Sequence, residues 1–125
     1  MGLRAVFIHS EQKSEDVLDL VIAGHFQVVF LCVEMLESPM CARIVHAKKF
    51  QLLLGGIYLD EAHLVFESVD WRGPYGRLHE FRRVVGSHIP LIAISATLPS
   101  LYRAALCQYA GLEHDYELIL SCSVM

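Results

Sequence analysis

A chain of 125 residues carrying a net charge of −4, of which 54% are hydrophobic and 19% charged, holds one domain at most and is long enough to bury a core. The acidic balance gives no global basic footprint for nucleic acid, so any such contact must be local. No apolar run approaches the roughly 20 residues that span a bilayer: Val28–Val33 stops at Glu34, and Leu91–Leu98 is also short.

In chain order, residues 3–8 (Leu-Arg-Ala-Val-Phe-Ile) read as a short strand. The opening Met-Gly-Leu-Arg-Ala-Val has no extended apolar segment of the kind a signal peptide needs, and Val6 stands where a myristoylation pattern wants Ser or Thr. Ser14 can cap a helix running to about Ala23, with Glu15 and Asp16 in its first turn and Gly24 just past its end. Gln27–Val33 is a near-continuous apolar run with β-branched residues, the pattern of a strand covered on both faces. After Ser38-Pro39 comes a helix within 40–53, then a strand at Ile57–Leu59 and a loop over 64–74. The spacing of Tyr75, Leu78, Phe81, Arg82 and Val85 predicts a helix stopped by Gly86. Pro90 opens a strand that ends at Ser95-Ala96-Thr97. Pro99 begins a helix whose buried stripe is Leu101, Ala105, Leu106, Tyr109 and Ala110, before Gly111, and Tyr116–Leu120 predicts a last strand. Strand and helix alternate, so the expected fold class is α/β, a parallel sheet with flanking helices joined by right-handed crossovers, in one unit spanning residues 1–125.

Two strand ends carry the chemistry. Gly55-Gly56-Ile57-Tyr58-Leu59 leads into Asp60-Glu61-Ala62-His63. Carboxylates at the C-terminal end of a buried parallel strand lie where such sheets open their ligand crevice. One can hold a hydrated Mg²⁺ through its waters while its neighbour accepts a proton from an attacking water. Some thirty residues on, Ile92-Ala93-Ile94 leads into Ser95-Ala96-Thr97. A zinc reading of His79-Glu80 lacks the second histidine of H-E-x-x-H, since position 83 is Arg. Arg72, Arg77, Arg82 and Arg83 cluster in sequence, and Arg82, one turn past Leu78, reads as a loop brace rather than a nucleic-acid contact.

Asp60-Glu61-Ala62-His63 and Ser95-Ala96-Thr97 resemble motifs II and III of superfamily 2 helicases. With Trp71-Arg72, Tyr75, Leu78, Arg82 and Leu98-Pro99 added, the chain resembles the RecQ-type ATP-dependent DNA helicases, in particular the RecQ-like helicases common in fungi. Gly2–Gln12 resembles the segment after motif Ia. Val28–Leu36 resembles the strand that ends in the family's Ser/Pro-Glu-Arg/Met-Leu, with Val33 in place of the proline. The resemblance implies part of a first RecA-like (P-loop NTPase) lobe, with ATP and Mg²⁺ as cofactors, DNA (single-stranded or a duplex end) as partner, and the nucleus as location. It implies that Asp60 coordinates Mg²⁺, that Glu61 positions and deprotonates the lytic water, and that His63 links the nucleotide site to motif III. It further implies that Trp71 and Arg72 belong to the aromatic-rich loop that couples single-strand binding to hydrolysis, by base stacking and a phosphate contact. That loop is one residue short here, with Phe66, Glu67 and Ser68 near the position of an earlier tryptophan.

No Gly-x-x-x-x-Gly-Lys-Ser/Thr occurs in the 125 residues, and Gly55-Gly56 has no lysine after it. The resemblance therefore implies a lobe fragment without its P-loop strand or the second lobe, inactive alone, whose partners include the missing helicase parts and whose Leu91–Ser95 strand has a bare edge. The alternative is a non-catalytic remnant or protein-interaction module without ATPase activity. Cys32, Cys41, Cys107 and Cys122 show no C-x-x-C spacing, and the first three read as reduced, intracellular packing cysteines. Cys122-Ser123-Val124-Met125 formally fits a prenylation box, but the upstream His114-Asp115-Tyr116-Glu117 is acidic, so no membrane partner is expected unless Cys122 is prenylated.

Overall fold

A computed structural model describes residues 2–9, 15–67 and 74–119. The expected α/β alternation is present. Strand β1 (Ala5–Ile8) leads to helix α1 (Glu15–Ile22), then β2 (Val28–Leu31), a 3₁₀ turn at Val33–Glu37, and α2 (Pro39–His46). Next come α3 (Lys48–Leu53), β3 (Ile57–Leu59), a short α4 (Leu64–Glu67), a 3₁₀ turn at Pro74–Arg77, and α5 (Leu78–Val85). β4 (Leu91–Ala93) and α6 (Ser100–Ala105), which continues into a π-turn at Leu106–Ala110, complete the order. No described helix is long and apolar enough to cross a membrane.

The strands pair in parallel, but as two separate ribbons rather than the single sheet expected. β1 pairs with β2, setting Phe7 opposite Phe30, and β3 pairs with β4, setting Tyr58 opposite Ile92. Strands of three or four residues make few ladder bonds, and the 3₁₀ turn after β2 carries the chain away before β3 begins. The expected covering of both faces is also corrected. Phe7 and Phe30 stand exposed on the side away from the first core cluster, and among the described residues no helix covers them.

Four other expectations change, the first being that Leu101, expected in a buried stripe, is exposed. The helix within 40–53 is two helices, broken at Ala47, whose extended backbone (φ −72°, ψ 117°) caps both. The 64–74 loop begins with α4, started immediately after His63. No strand forms over 116–119, where Tyr116 N–H donates to Glu113 O in a turn; Leu120 lies outside the described residues. An apolar stretch without a neighbouring strand to pair with gains no ladder bonds, and so the run of β-type residues does not suffice.

Packing follows the helix stripes. Ile8, Leu18, Val21, Met35 and Ile44 form one core cluster under the first ribbon. Ala62, Val65, Leu106 and Ala110 form a second beside Leu59 and Ala93 of the other ribbon. Cys41 and Val45 of α2 meet Val85 of α5 and Ile57 of β3 in a third, so α2 touches the first ribbon and the start of β3. Ser38, predicted as part of a polar break, caps α2 by accepting Cys41 N–H on its Oγ at 3.1 Å, with Pro39 at the first helical position. Ser14, the expected cap of α1, lies outside the described residues.

Candidate functional site: the joined ends of β3 and β4

At the end of β3 the chain turns sharply. Glu61 has φ 51°, a left-handed conformation unusual for a residue with a side chain. Asp60 accommodates it by accepting Glu61 N–H on its own Oδ1 at 2.9 Å. The reversal drives the Ala62 methyl into the core, where it is fully buried beside Val65 and Leu106, and a larger side chain would find no room there. Ala62 N–H then donates to Ile94 O at 3.0 Å, just beyond the ladder bond from Ile94 N–H to Leu59 O at 2.9 Å. These two bonds extend the β3–β4 pairing past the last paired residues and fix where His63 emerges.

His63 is brought to Ser95. Its Nδ1 lies 2.7 Å from Ser95 Oγ and 3.4 Å from Glu61 Oε2. Ser95 Oγ also lies 3.2 Å from Thr97 O, a carbonyl that can only accept, and it accepts Thr97 N–H at 3.4 Å. Which of His63 Nδ1 and Ser95 Oγ carries the shared proton is set by the imidazole tautomer, and the Glu61 carboxylate approaches the same ring nitrogen.

This geometry does not match a serine-nucleophile relay. A relay of the serine-hydrolase kind needs serine on one imidazole nitrogen and an acid on the other, whereas here both approach Nδ1. Asp60 and Glu61 are exposed and His63 half-buried, so the two carboxylates face solvent while the histidine is held from behind. Ala96 and Thr97 are exposed on the turn that follows Ser95.

Among the described residues no group of three or more His, Cys, Asp or Glu side chains converges on a metal position. The donor set is thus too sparse for a protein-built cage. Asp60 beside Glu61 fits a different case, a hydrated Mg²⁺ whose inner ligands are waters and phosphate oxygens, held by one carboxylate. Trp71 and Arg72 lie outside the described residues, as does Cys122.

Arg82 is only 6% exposed. Its Nη1 donates to Ile89 O and its Nη2 to Ser87 O, the latter at 2.9 Å, so it ties α5 to the turn that delivers β4. Arg82 is a brace, but on the turn after its own helix and not on the 64–74 loop expected. The sequence reading missed the stack of Phe66 on Tyr102, with ring centroids 4.4 Å apart and planes 19° from parallel, which fastens α4 to α6 directly behind the site. Its signal was an aromatic three residues past His63 and another one turn into the helix after Pro99. A cavity of about 330 Å³ lies elsewhere, between α2 and α5, lined by Cys41, Val45, Phe81 and Val84 with Glu37, Arg77 and Glu80 at its mouth.

The sequence matches no protein-family model, and a search of curated proteins finds no match.

Proposed function

We propose that the chain is the motif II–motif III part of the first RecA-like lobe of a RecQ-type, ATP-dependent 3′-to-5′ DNA helicase, without ATPase activity on its own. The observation that supports this best is the 2.7 Å hydrogen bond between His63 and Ser95, joining an Asp-Glu-Ala-His strand end to a Ser-Ala-Thr strand end on paired parallel strands.

In this reading Asp60 holds the Mg²⁺ that accompanies ATP through the ion's waters, and the ion when bound neutralises charge on the phosphates. Glu61, exposed beside it, orients water and accepts its proton. His63 and Ser95 transmit a change at the carboxylates to the Ala96-Thr97 turn. Trp71 stacks on a base of single-stranded DNA or an opened duplex end while Arg72 meets a phosphate. The phosphate grip has to come from a Gly-Lys loop that the 125 residues do not contain, so the remaining helicase parts are partners. Nuclear location follows from the same reading.

The test is phosphate release by the purified chain, with and without single-stranded DNA, against an Asp60→Ala/Glu61→Gln double variant. Equal background rates are expected. A rate that disappears in the double variant overturns the inactive-alone reading. Trp71→Ala should weaken single-strand binding by about tenfold or more, since a stacked aromatic contributes about 1–3 kcal/mol per base; unchanged anisotropy titrations would remove Trp71 from the interface.

A second reading, a non-catalytic interaction module, is favoured by one observation: among the described residues, the apolar side of both ribbons lies bare.

A further inference from the structure

Two arms of chain leave the site. From the end of β3 the backbone winds directly into α4: Leu64 N–H donates to Glu61 O at 3.0 Å, Val65 N–H to Ala62 O at 3.2 Å, and Glu67 N–H to His63 O at 3.3 Å. His63 is therefore tied through hydrogen-bonded turns to Phe66. From the end of β4 the chain passes Thr97 and Leu98 into α6, where Arg103 N–H donates to Pro99 O at 3.0 Å and Tyr102 stands in the first turn. The arms are joined at successive points outward from the strands: Ala62 N–H on Ile94 O, His63 on Ser95, and Phe66 stacked on Tyr102.

A helix of four residues cannot hold itself in water, so tertiary contacts must set its orientation. Val65 anchors α4 by burying among Ala62, Leu106 and Ala110. At helical spacing Val65, two residues after His63, falls on the opposite side of the turn, whereas Phe66, three residues after it, shares the side of His63. An anchor on one side leaves α4 free to roll; the stack on the other side removes that freedom. The rings lie flat against each other, 4.4 Å apart and 19° from parallel, so tilting either one drives its edge into its partner.

We propose that Phe66 and Tyr102 are positioning residues of this site: their stack sets the roll of α4 and thereby holds His63 Nδ1 against Ser95 Oγ. The bond is sensitive to such a roll, because a side-chain pair opened from 2.7 Å to beyond about 3.5 Å is no longer a hydrogen bond. The functional meaning rests on the helicase reading, in which His63 and Ser95 pass a change at the carboxylates to the Ala96-Thr97 turn. The positioning itself is measured on the chain alone without nucleotide, so it can fail while that reading stands, and a failure of helicase activity leaves it standing.

The experiment is a set of double-variant cycles in urea unfolding. The coupling between His63→Ala and Ser95→Ala is measured in the unaltered chain and again in chains carrying Phe66→Leu, Tyr102→Leu, Tyr102→Phe or Val21→Ala. In the unaltered chain the unfolding constant of the double variant should depart from independence by about two- to fivefold. Phe66→Leu and Tyr102→Leu, which keep apolar bulk but lose a ring, should bring that factor close to one. Tyr102→Phe keeps the ring and should preserve it, as should Val21→Ala in the first core cluster. A stack that only adds stability would lower every unfolding midpoint and leave the coupling factor unchanged, and that result overturns the proposal. So does a coupling lost equally in Tyr102→Phe or Val21→Ala, or one absent from the unaltered chain.

Discussion

Ser95→Ala removes the hydroxyl that His63 Nδ1 faces and should cost about 1 kcal/mol of stability, the net worth of a typical hydrogen bond. Because the two residues are in contact, the His63→Ala/Ser95→Ala double variant should lose less than the sum of the singles by about 0.5–1 kcal/mol in urea unfolding. Additive losses would mean the pair is not joined in solution. At Cys41, burial pushes the thiol from its ordinary 9.0 up to about 11. Between those two pH values the unfolded chain has given up a proton that the folded chain keeps, so stability should fall as pH rises from about 9 to about 11. Cys32 is exposed, so iodoacetamide at pH 8 should label Cys32 well before Cys41, as read by peptide mass mapping. Equal labelling would contradict the buried placement of α2.

The element most clearly legible in the sequence was β3. Ile57–Leu59 was bounded by two glycines and two acids, and the strand has those limits. Its partner was legible in part, since Pro90 precedes β4, but the strand ends at Ala93, short of the hydroxyls expected to close it. What could not be read was pairing between distant strands, which depends on register and neighbours rather than on local propensity. Tyr116–Ile119 has strand composition and no partner among the described residues, and β2 and β3 each pair on one side only. Nor was the left-handed Glu61 legible, because a glutamate gives no warning of that conformation. Arg82 was legible as a brace from its position on α5, but the loop it holds was misplaced: its acceptors lie on residues 87 and 89, not in 64–74. Arg82→Met should cost about 2–4 kcal/mol, since two carbonyls lose their donor, and Arg82→Lys should restore only part, since an ammonium cannot reproduce the two-pronged fork. Full rescue by Lys in thermal melts would show that the fork is unimportant. Gly111 closes the π-turn at φ 76°, and a Cβ there would meet Arg82 Cγ at 2.8 Å. That side chain is pinned at its far end and cannot swing aside, so Gly111→Ala should lose about 1–2 kcal/mol.

At the scale of the whole molecule, the described helices pack against the inner sides of two short parallel ribbons, and the carboxylates stand at the end of β3. The site is built from main-chain bonds as much as from side chains. Leu59, Ala62 and Ile94 zip the strand ends together, and only then do His63 and Ser95 meet. Such a site should keep its geometry when moved, provided both strands and their connection move together. The most direct measurement is therefore ATP hydrolysis by a RecQ helicase in which residues 55–99 of this chain replace the corresponding motif II–motif III segment, so that a P-loop and second lobe are supplied. The account predicts DNA-stimulated hydrolysis, abolished by Glu61→Gln and stripped of its DNA stimulation by His63→Ala. A folded chimera that hydrolyses no ATP, or one that hydrolyses it equally well with Glu61→Gln, would contradict the assignment of these strand ends to a helicase core.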